Sequence, residues 1–98
     1  MTTALAKLRS DVSHADVVRA LKEYDRLGAD GFFAKHGFSQ TKTYEMIWNG
    51  GSYPPKAILG AAYELATKHR LKPGDFEGGK AGAVSVLTAL GFDIREKK

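Results

Sequence analysis

Residues 41–66, with the sequence TKTYEMIWNGGSYPPKAILGAAYELA, decide the fold because they combine a strand pattern, a turn signal and a helix pattern. The strand pattern covers residues 44–48, YEMIW, where successive side chains point to opposite faces of an extended chain. Asn49-Gly50 follows directly and predicts a tight type I′ turn, because both residues tolerate a positive φ. We therefore expect an antiparallel hairpin over residues 43–53.

Two prolines end this hairpin and start a helix. Pro54 and Pro55 have no N–H to donate to a strand ladder, so the second strand has to stop after Tyr53. Pro55 suits the first position of a helix, where the N–H would lack a helical partner in any case. Apolar residues then recur at helical spacing, which predicts a helix from about Pro55 to His69.

The segment before the hairpin predicts two further helices. Ser13 and Asp16 form a capping-box pattern at the start of the first, and Gly28 ends it. Asp30 and Gly37 delimit a second, shorter helix. The aromatic side chains predicted to be buried here and in the later loop are Phe32, Phe33, Phe38 and Phe76.

The C-terminal third is predicted to complete a small sheet. Apolar residues over 83–90 indicate a helix that Gly91 ends, and residues 92–95 alternate again as a strand. This strand would pair with the hairpin, because a two-stranded hairpin alone is only marginally stable. The predicted class is α+β, with a small antiparallel sheet of hairpin and C-terminal strand covered by about four helices. Residues 13–96 would form one such domain, preceded by an N-terminal segment over residues 1–12 with a short helix.

The composition limits the function classes. The chain has 98 residues, which suits one domain with one core, and it has no cysteine, which excludes disulfides and thiolate metal sites. No apolar run approaches the ~20 residues that span a bilayer, and no secretory signal is recognisable, so we expect a cytoplasmic protein without membrane contact. A net charge of +4 and a pI of about 9.4 are compatible with nucleic acid binding but fall well short of a histone-like chain.

The titratable residues suggest no catalytic or metal centre. His14, His36 and His69 lie in separate predicted helices without a metal-ligand partner at a useful spacing, so we expect them to be solvated or at helix ends. Acidic residues sit beside basic ones, as in Lys22-Glu23 and Asp25-Arg26, and no carboxylate pair stands out for acid–base work. No catalytic residue, metal or cofactor is therefore predicted.

Aromatic and basic residues interleave around the hairpin, a mixture that suits contacts to a DNA backbone and to bases. Most of the stripe formed by Tyr44, Met46 and Trp48 should face the core, whereas Trp48, Tyr53 and Lys56 are expected to be more exposed. Lys56 lies in the first turn of a helix, where the macrodipole disfavours a cation and a bound phosphate would offset that cost.

The Gly78-Gly79-Lys80 run precedes the last helix and allows two interpretations. Two glycines at a helix N-terminus can present N–H groups to one phosphate. A flexible or positive-φ turn that merely starts the helix is slightly favoured over that role. The predicted DNA-contacting residues are Lys42, Tyr44, Trp48, Tyr53, Lys56, Gly78, Gly79 and Lys80.

Several segments resemble a known family. Residues 53–63, YPPKAILGAAY, are similar to the Tyr-x-x-Lys-Ala-Ile-x-Gly-x-Ala stretch in the N-terminal head domain of ScoMcrA-like, modification-dependent HNH restriction endonucleases. Residues 20–28 and 32–38 resemble the first two helices of that domain. Residues 76–79 and 86–92 resemble its Phe-x-Gly-Gly loop and its Leu-Gly-Phe ending.

The resemblance covers about residues 13–95 and implies a function. In these endonucleases the head precedes modules that read modified DNA and an HNH nuclease that cuts. The resemblance therefore implies a non-catalytic module that contacts duplex DNA, plain or modified, with SRA- or HNH-type nuclease modules as partners. The alternative is a protein-interaction module that docks neighbouring domains or partner subunits. A shared concave face for Lys42, Trp48, Lys56 and Lys80 would favour DNA binding.

Overall fold

The order of helices and strands follows the sequence patterns closely. We describe a computed structural model, which covers residues 4–39 and 43–97. Within these ranges the elements are α1 (Ala4–Asp11), α2 (His14–His36), β1 (Tyr44–Trp48), β2 (Gly51–Tyr53), α3 (Pro55–Thr67), a 3₁₀ turn (Pro73–Asp75), α4 (Ala83–Ala89) and β3 (Asp93–Glu96). The predicted α+β class, with four helices and a small antiparallel sheet, is confirmed.

The sheet has the strand order β2-β1-β3, and both pairings are antiparallel. Trp48 pairs with Gly51 at the end of the hairpin, and the intervening Asn49 and Gly50 have φ values of 49° and 81°. These are the positive values that a type I′ turn requires. The predicted hairpin is confirmed, and so is the C-terminal strand, which pairs with β1 rather than with β2.

Helix α2 begins and ends where the sequence indicates. The Ser13 hydroxyl accepts the Asp16 N–H at 3.2 Å, and the Asp16 carboxylate accepts the Ser13 N–H at 3.0 Å, which completes the capping box. Gly28, with φ 77° and ψ 168°, breaks the helical backbone, so α2 consists of two helical segments joined by a kink, and the predicted end of the first helix at Gly28 is confirmed. Gly37 ends α2 in the left-handed region, with its N–H donating to the Phe33 carbonyl at 2.8 Å.

Helix α3 forms the centre of the core and contacts α1, α2, α4 and β1. Ile58, Leu59, Ala61 and Ala62 are fully buried on it. Leu8 of α1 and Val12, the residue after α1, belong to the same core. Both lie in the N-terminal segment that was predicted to precede the domain. The helix ends at Thr67, two residues before the predicted end, because Lys68 adopts the left-handed conformation. In the part of the chain that is described, no helix combines the length and apolarity needed to cross a membrane.

Candidate nucleic-acid interface

Tyr53 is buried, so the exposure predicted for it is wrong. Its side chain keeps only 7% of its surface exposed, because Tyr53 pairs with the buried Met46 of β1 and turns its ring towards α2. The hydroxyl donates a hydrogen bond to Asp25 Oδ1 at 2.8 Å, and the ring meets Tyr24 edge-on at 5.3 Å between centroids. Tyr53 therefore connects the sheet to α2 and offers little ring surface to a DNA base.

This contact gives the fold a measurable sensitivity to alkali. Burial, together with the hydrogen bond to Asp25 and the charge of that carboxylate, raises the pKa of Tyr53 to about 12 from the ordinary 10.0. A raised pKa favours the neutral phenol in the folded state, so its stabilisation is complete below pH 10 and is lost as the pH rises through 12. We expect wild type to lose about 2 kcal/mol of unfolding free energy over this window and Tyr53→Phe to lose less. Urea unfolding at successive pH values measures this, with Tyr44→Phe as the control. Equal pH profiles for wild type and Tyr53→Phe would contradict the assignment.

Tyr44 and Trp48 lie on the same face of β1 as Met46 but at opposite ends of the strand. Both are half-buried, whereas Met46 is fully buried between them. Trp48 contacts Tyr53 edge-on, with 6.1 Å between ring centroids, beside the hairpin turn. The stripe therefore points inward, as predicted, and of its three side chains Tyr44 and Trp48 keep part of their surface exposed.

Lys56 and Gly78 lie side by side. The Lys56 ammonium lies 5.3 Å from the centre of the Phe76 ring, a cation–π contact, and Phe76 is buried as predicted. A Cβ atom added to Gly78 would lie 3.2 Å from Lys56 Cδ, so the lysine stem occupies the space that a side chain at Gly78 would need. The half-buried Lys56 thus keeps its charge at the edge of the loop that was predicted to bind phosphate.

Lys80 continues this loop towards the sheet. It is exposed, and its ammonium lies 3.9 Å from Glu96 Oε1, while Glu96 is the cross-strand partner of Tyr44. Lys56, Gly78 and Lys80 therefore lie on one side of the molecule, and Tyr44 lies at the edge of that side. Trp48 lies at the far end of β1, and the predicted contact residue Lys42 lies outside the described residues.

The loop uses its own carbonyl groups to start α4. The N–H groups of Gly82 and Val84 donate to the Gly79 carbonyl at 2.9 and 3.2 Å, and the Ala83 N–H donates to the Glu77 carbonyl at 2.8 Å. The amides at the start of α4 are thus already paired, which favours the turn interpretation over a phosphate site on the helix. Gly79 and its neighbour Gly78 do not have positive φ values, so that part of the expectation is wrong.

No sequence pattern predicted the charged cluster around His36. This side chain lies at the end of α2, as one of the two expectations had it, but it is only 2% exposed and therefore not solvated. Its Nδ1 lies 2.7 Å from Glu64 Oε1, and its Nε2 contacts Glu23 Oε1. The ring can donate to both carboxylates at once only when each of its nitrogens carries a proton. The partners lie 13 and 28 residues away in the sequence, and no local pattern announces them.

Basic residues surround this cluster and pair with its carboxylates. Lys35 Nζ donates to Glu23 Oε2 at 2.8 Å, and Arg70 Nε donates to Glu64 Oε2 at 3.2 Å. Burial alone would raise the pKa of Glu23, but the hydrogen bonds from Lys35 and His36 and the charges of both lower it below its usual value. Glu23 precedes the break at Gly28 and His36 follows it, so the cluster fixes the two halves of α2 against each other and against α3.

The fold and this surface define a small α+β module in which lysines and aromatic residues border a sheet. The chain belongs to the family of ScoMcrA-like N-terminal head domains, whose sequence model matches residues 10–96. It is similar in structure to ScoMcrA, described as a type IV phosphorothioation-dependent restriction endonuclease, with a TM-score of 0.66 and 29% sequence identity. The match covers 91% of this chain but only 14% of that endonuclease. No curated protein matches this chain. The family supports a role in a restriction endonuclease system.

Proposed function

We propose that this chain is a non-catalytic module of a modification-dependent restriction system and that it contacts duplex DNA, plain or modified. SRA- or HNH-type nuclease modules would be its neighbours, since the chain matches only 14% of the related endonuclease. The observation that carries the proposal is the position of Lys56 in the first turn of α3, beside the Gly78-Gly79-Lys80 loop.

The physical argument concerns the cost of this position. A cation in the first turn of a helix is disfavoured by about 0.3–1 kcal/mol, because the helix N-terminus carries partial positive charge. The cation–π contact to Phe76 stabilises this position by a similar amount, about 0.5–1 kcal/mol. The net contribution of Lys56 to the fold is therefore small, and a phosphate would meet both the ammonium and the positive end of α3.

The direct test is a fluorescence titration of a short DNA duplex at several salt concentrations. Backbone binding releases counterions, so log affinity should fall linearly with log salt, by roughly 0.9 for each phosphate neutralised. For a module of this size we expect about three to six such contacts and micromolar affinity at best. Binding to duplex that does not respond to salt, or no binding at all, would favour the docking of protein partners instead.

Lys56→Glu should separate stability from binding. Glutamate loses the contact with Phe76 but suits the helix N-terminus, so the unfolding free energy should change by no more than about 0.5 kcal/mol. Facing a phosphate, the charge reversal should cost more than the about 1.5–3 kcal/mol of one charge-assisted contact, hence at least about tenfold in affinity at low salt.

The control is Lys7→Glu, the same change on the exposed surface of α1. It should weaken binding much less than Lys56→Glu. A Lys56→Glu protein that melts normally and binds as tightly as the control would remove Lys56 from the interface.

A further inference from the structure

A second basic surface lies between α2 and the C-terminal half of α3, away from the residues predicted from the sequence. Two adjoining shallow depressions form a continuous groove around the half-buried Leu65. Five cationic side chains line it, namely Arg19, Lys22, Arg26, Lys35 and Lys68. We call this surface the α2–α3 groove.

The carboxylates of the groove are already engaged. Glu23 and Glu64 form its floor, where His36 lies between them, and Asp16 lies 3.5 Å from Arg19. Counting the adjacent Arg70, which pairs with Glu64, six Lys and Arg residues face three carboxylates and leave a net charge of +3 before His36 is counted.

The sheet side carries a more balanced charge. Lys80 faces Glu96 at 3.9 Å, and Arg95 forms an ion pair with Asp93 at 2.9 Å. Within the described residues, no salt-bridge partner lies near Lys22 or Lys68 in the groove. The α2–α3 groove therefore holds two cations without a carboxylate partner among the described residues, whereas Lys80 and Arg95 on the sheet side have one each.

We propose that the α2–α3 groove binds the phosphate backbone of duplex DNA. The proposal rests on the proposed function only in taking DNA as the partner, and it assigns that partner to a different surface. Arg19, Lys22 and Arg26 follow one another at i, i+3 and i+7 on one face of α2, so they span about 10 Å along the helix. A DNA strand carries one phosphate per ~3.4 Å of duplex axis, so this row matches about three phosphates.

The exposure of the arginines fits this role. The side chains of Arg19 and Arg26 are 58% and 67% exposed although each lies near a carboxylate. Their guanidinium groups have donors left over, and a planar fork of donors pairs well with phosphate oxygens. A regular row of such donors suits a regularly charged polymer better than the irregular charges of an acidic protein.

Lys68 supplies an independent observation. It follows α3 with φ 65° and ψ 14°, a left-handed position that glycine normally occupies at the end of a helix. A residue whose backbone is held in a sparsely populated conformation is a reason to look for a function. Here the strained residue places a cation at the rim of the groove, where it has no salt-bridge partner in the described part of the chain.

The first experiment compares two doubly substituted proteins with the same change in net charge. Lys22→Glu combined with Lys68→Glu reverses two groove cations, whereas Lys7→Glu combined with Lys72→Glu reverses two exposed lysines elsewhere. In duplex titrations over a salt series, the groove variant should lose about two units of the log–log slope, roughly 0.9 for each phosphate contact. The control variant should keep most of the wild-type slope. Melting curves of both variants verify that they are folded.

A second variant tests Lys68 without a charge reversal. Lys68→Gly suits the left-handed backbone, so its melting temperature should not fall below that of wild type, while the salt slope should drop by about 0.9. Because this variant is expected to fold, a loss of stability in the reversed protein would not obscure the result.

The outcomes separate this proposal from the proposed function. If wild type binds duplex, Lys56→Glu weakens it and both groove variants bind normally, the groove assignment is wrong and the proposed function stands. Equal losses of the salt slope in the groove and control variants would mean that net charge alone explains the effect, which would overturn the groove assignment. Polyglutamate that competes as well as DNA at equal charge would overturn it in favour of an acidic protein partner. A wild-type protein that binds no duplex would end both proposals.

Discussion

Replacing His36 with alanine should lower the free energy of unfolding by about 3–5 kcal/mol, the usual cost of removing one partner from a buried ionic cluster. The imidazole is the group that separates Glu23 from Glu64, since each ring nitrogen faces one of the two carboxylates. Without it, Glu23 keeps Lys35 and Arg26 but loses its most buried partner, and Glu64 keeps Arg70. The ring also packs against Phe32 at 4.7 Å between centroids, so alanine leaves a cavity as well.

A second substitution distinguishes lost charge from lost volume. His36→Leu fills most of the space but donates no hydrogen bond, so it should cost nearly as much as alanine if the carboxylates cause the loss. Adding Glu23→Gln should then recover part of the stability. Urea unfolding of each variant gives the free energies. A leucine variant as stable as wild type would show that packing alone explains the effect.

His69 provides the matched control because it is exposed just beyond the end of α3. His69→Ala should change the unfolding free energy by no more than about 0.5 kcal/mol. A similar loss at both histidines would contradict the special position of His36.

The features that could be predicted from the sequence are those with a local cause. The hairpin follows from Asn49-Gly50, because the turn needs two positive φ values and these neighbours supply both. The start of α3 follows from Pro55, and the start of α2 from the reciprocal hydrogen bonds of Ser13 and Asp16. Each of these decisions involves residues no more than a few positions apart.

The features that could not be predicted depend on which segments meet after folding. Tyr53 alternates with exposed positions like any strand residue, and only the approach of α2 brings Asp25 to its hydroxyl. His36 belongs to a short polar run before Gly37, and nothing near it indicates two carboxylates from distant positions. The same holds for Lys68, whose place beside α2 depends on how the helices pack.

The candidate site likewise combines features that could be predicted from the sequence with features that depend on how the segments meet. The chemistry of phosphate binding, not a sequence spacing, grouped Gly78-Gly79-Lys80 with Lys56, and the structure does bring Lys56 and Gly78 into contact. The alternation of Tyr44 and Trp48 correctly placed them on one face, but the length of β1 puts them at opposite ends of it. A common surface for all the predicted residues would have required a tertiary arrangement that no spacing specifies.

Gly82 was not distinguished from its neighbours by the sequence, yet its substitution should have the second large effect on stability. A Cβ atom there would lie 1.9 Å from the Glu77 carbonyl oxygen and 2.6 Å from its carbonyl carbon, which are backbone atoms that cannot rotate away. Glu77 would have to move, and its carbonyl accepts the Ala83 N–H at the start of α4. Overpacking typically costs about 1–3 kcal/mol and a lost hydrogen bond about 1 kcal/mol, so Gly82→Ala should cost about 3 kcal/mol or more.

Gly79→Ala is the matched control for this prediction because it lies in the same loop. Apart from its two chain neighbours, no heavy atom of the described residues lies within 4 Å of the Cβ position at Gly79, and its φ is not positive. Alanine restricts the unfolded chain more than glycine does, so this variant should be as stable as wild type or gain about 0.4–1 kcal/mol. The stabilities of the two variants, measured by thermal and urea unfolding, should therefore change in opposite directions relative to wild type. Equal stability of the two would show that the loop can shift at Gly82 without cost, and that the Glu77 carbonyl does not hold α4 in place.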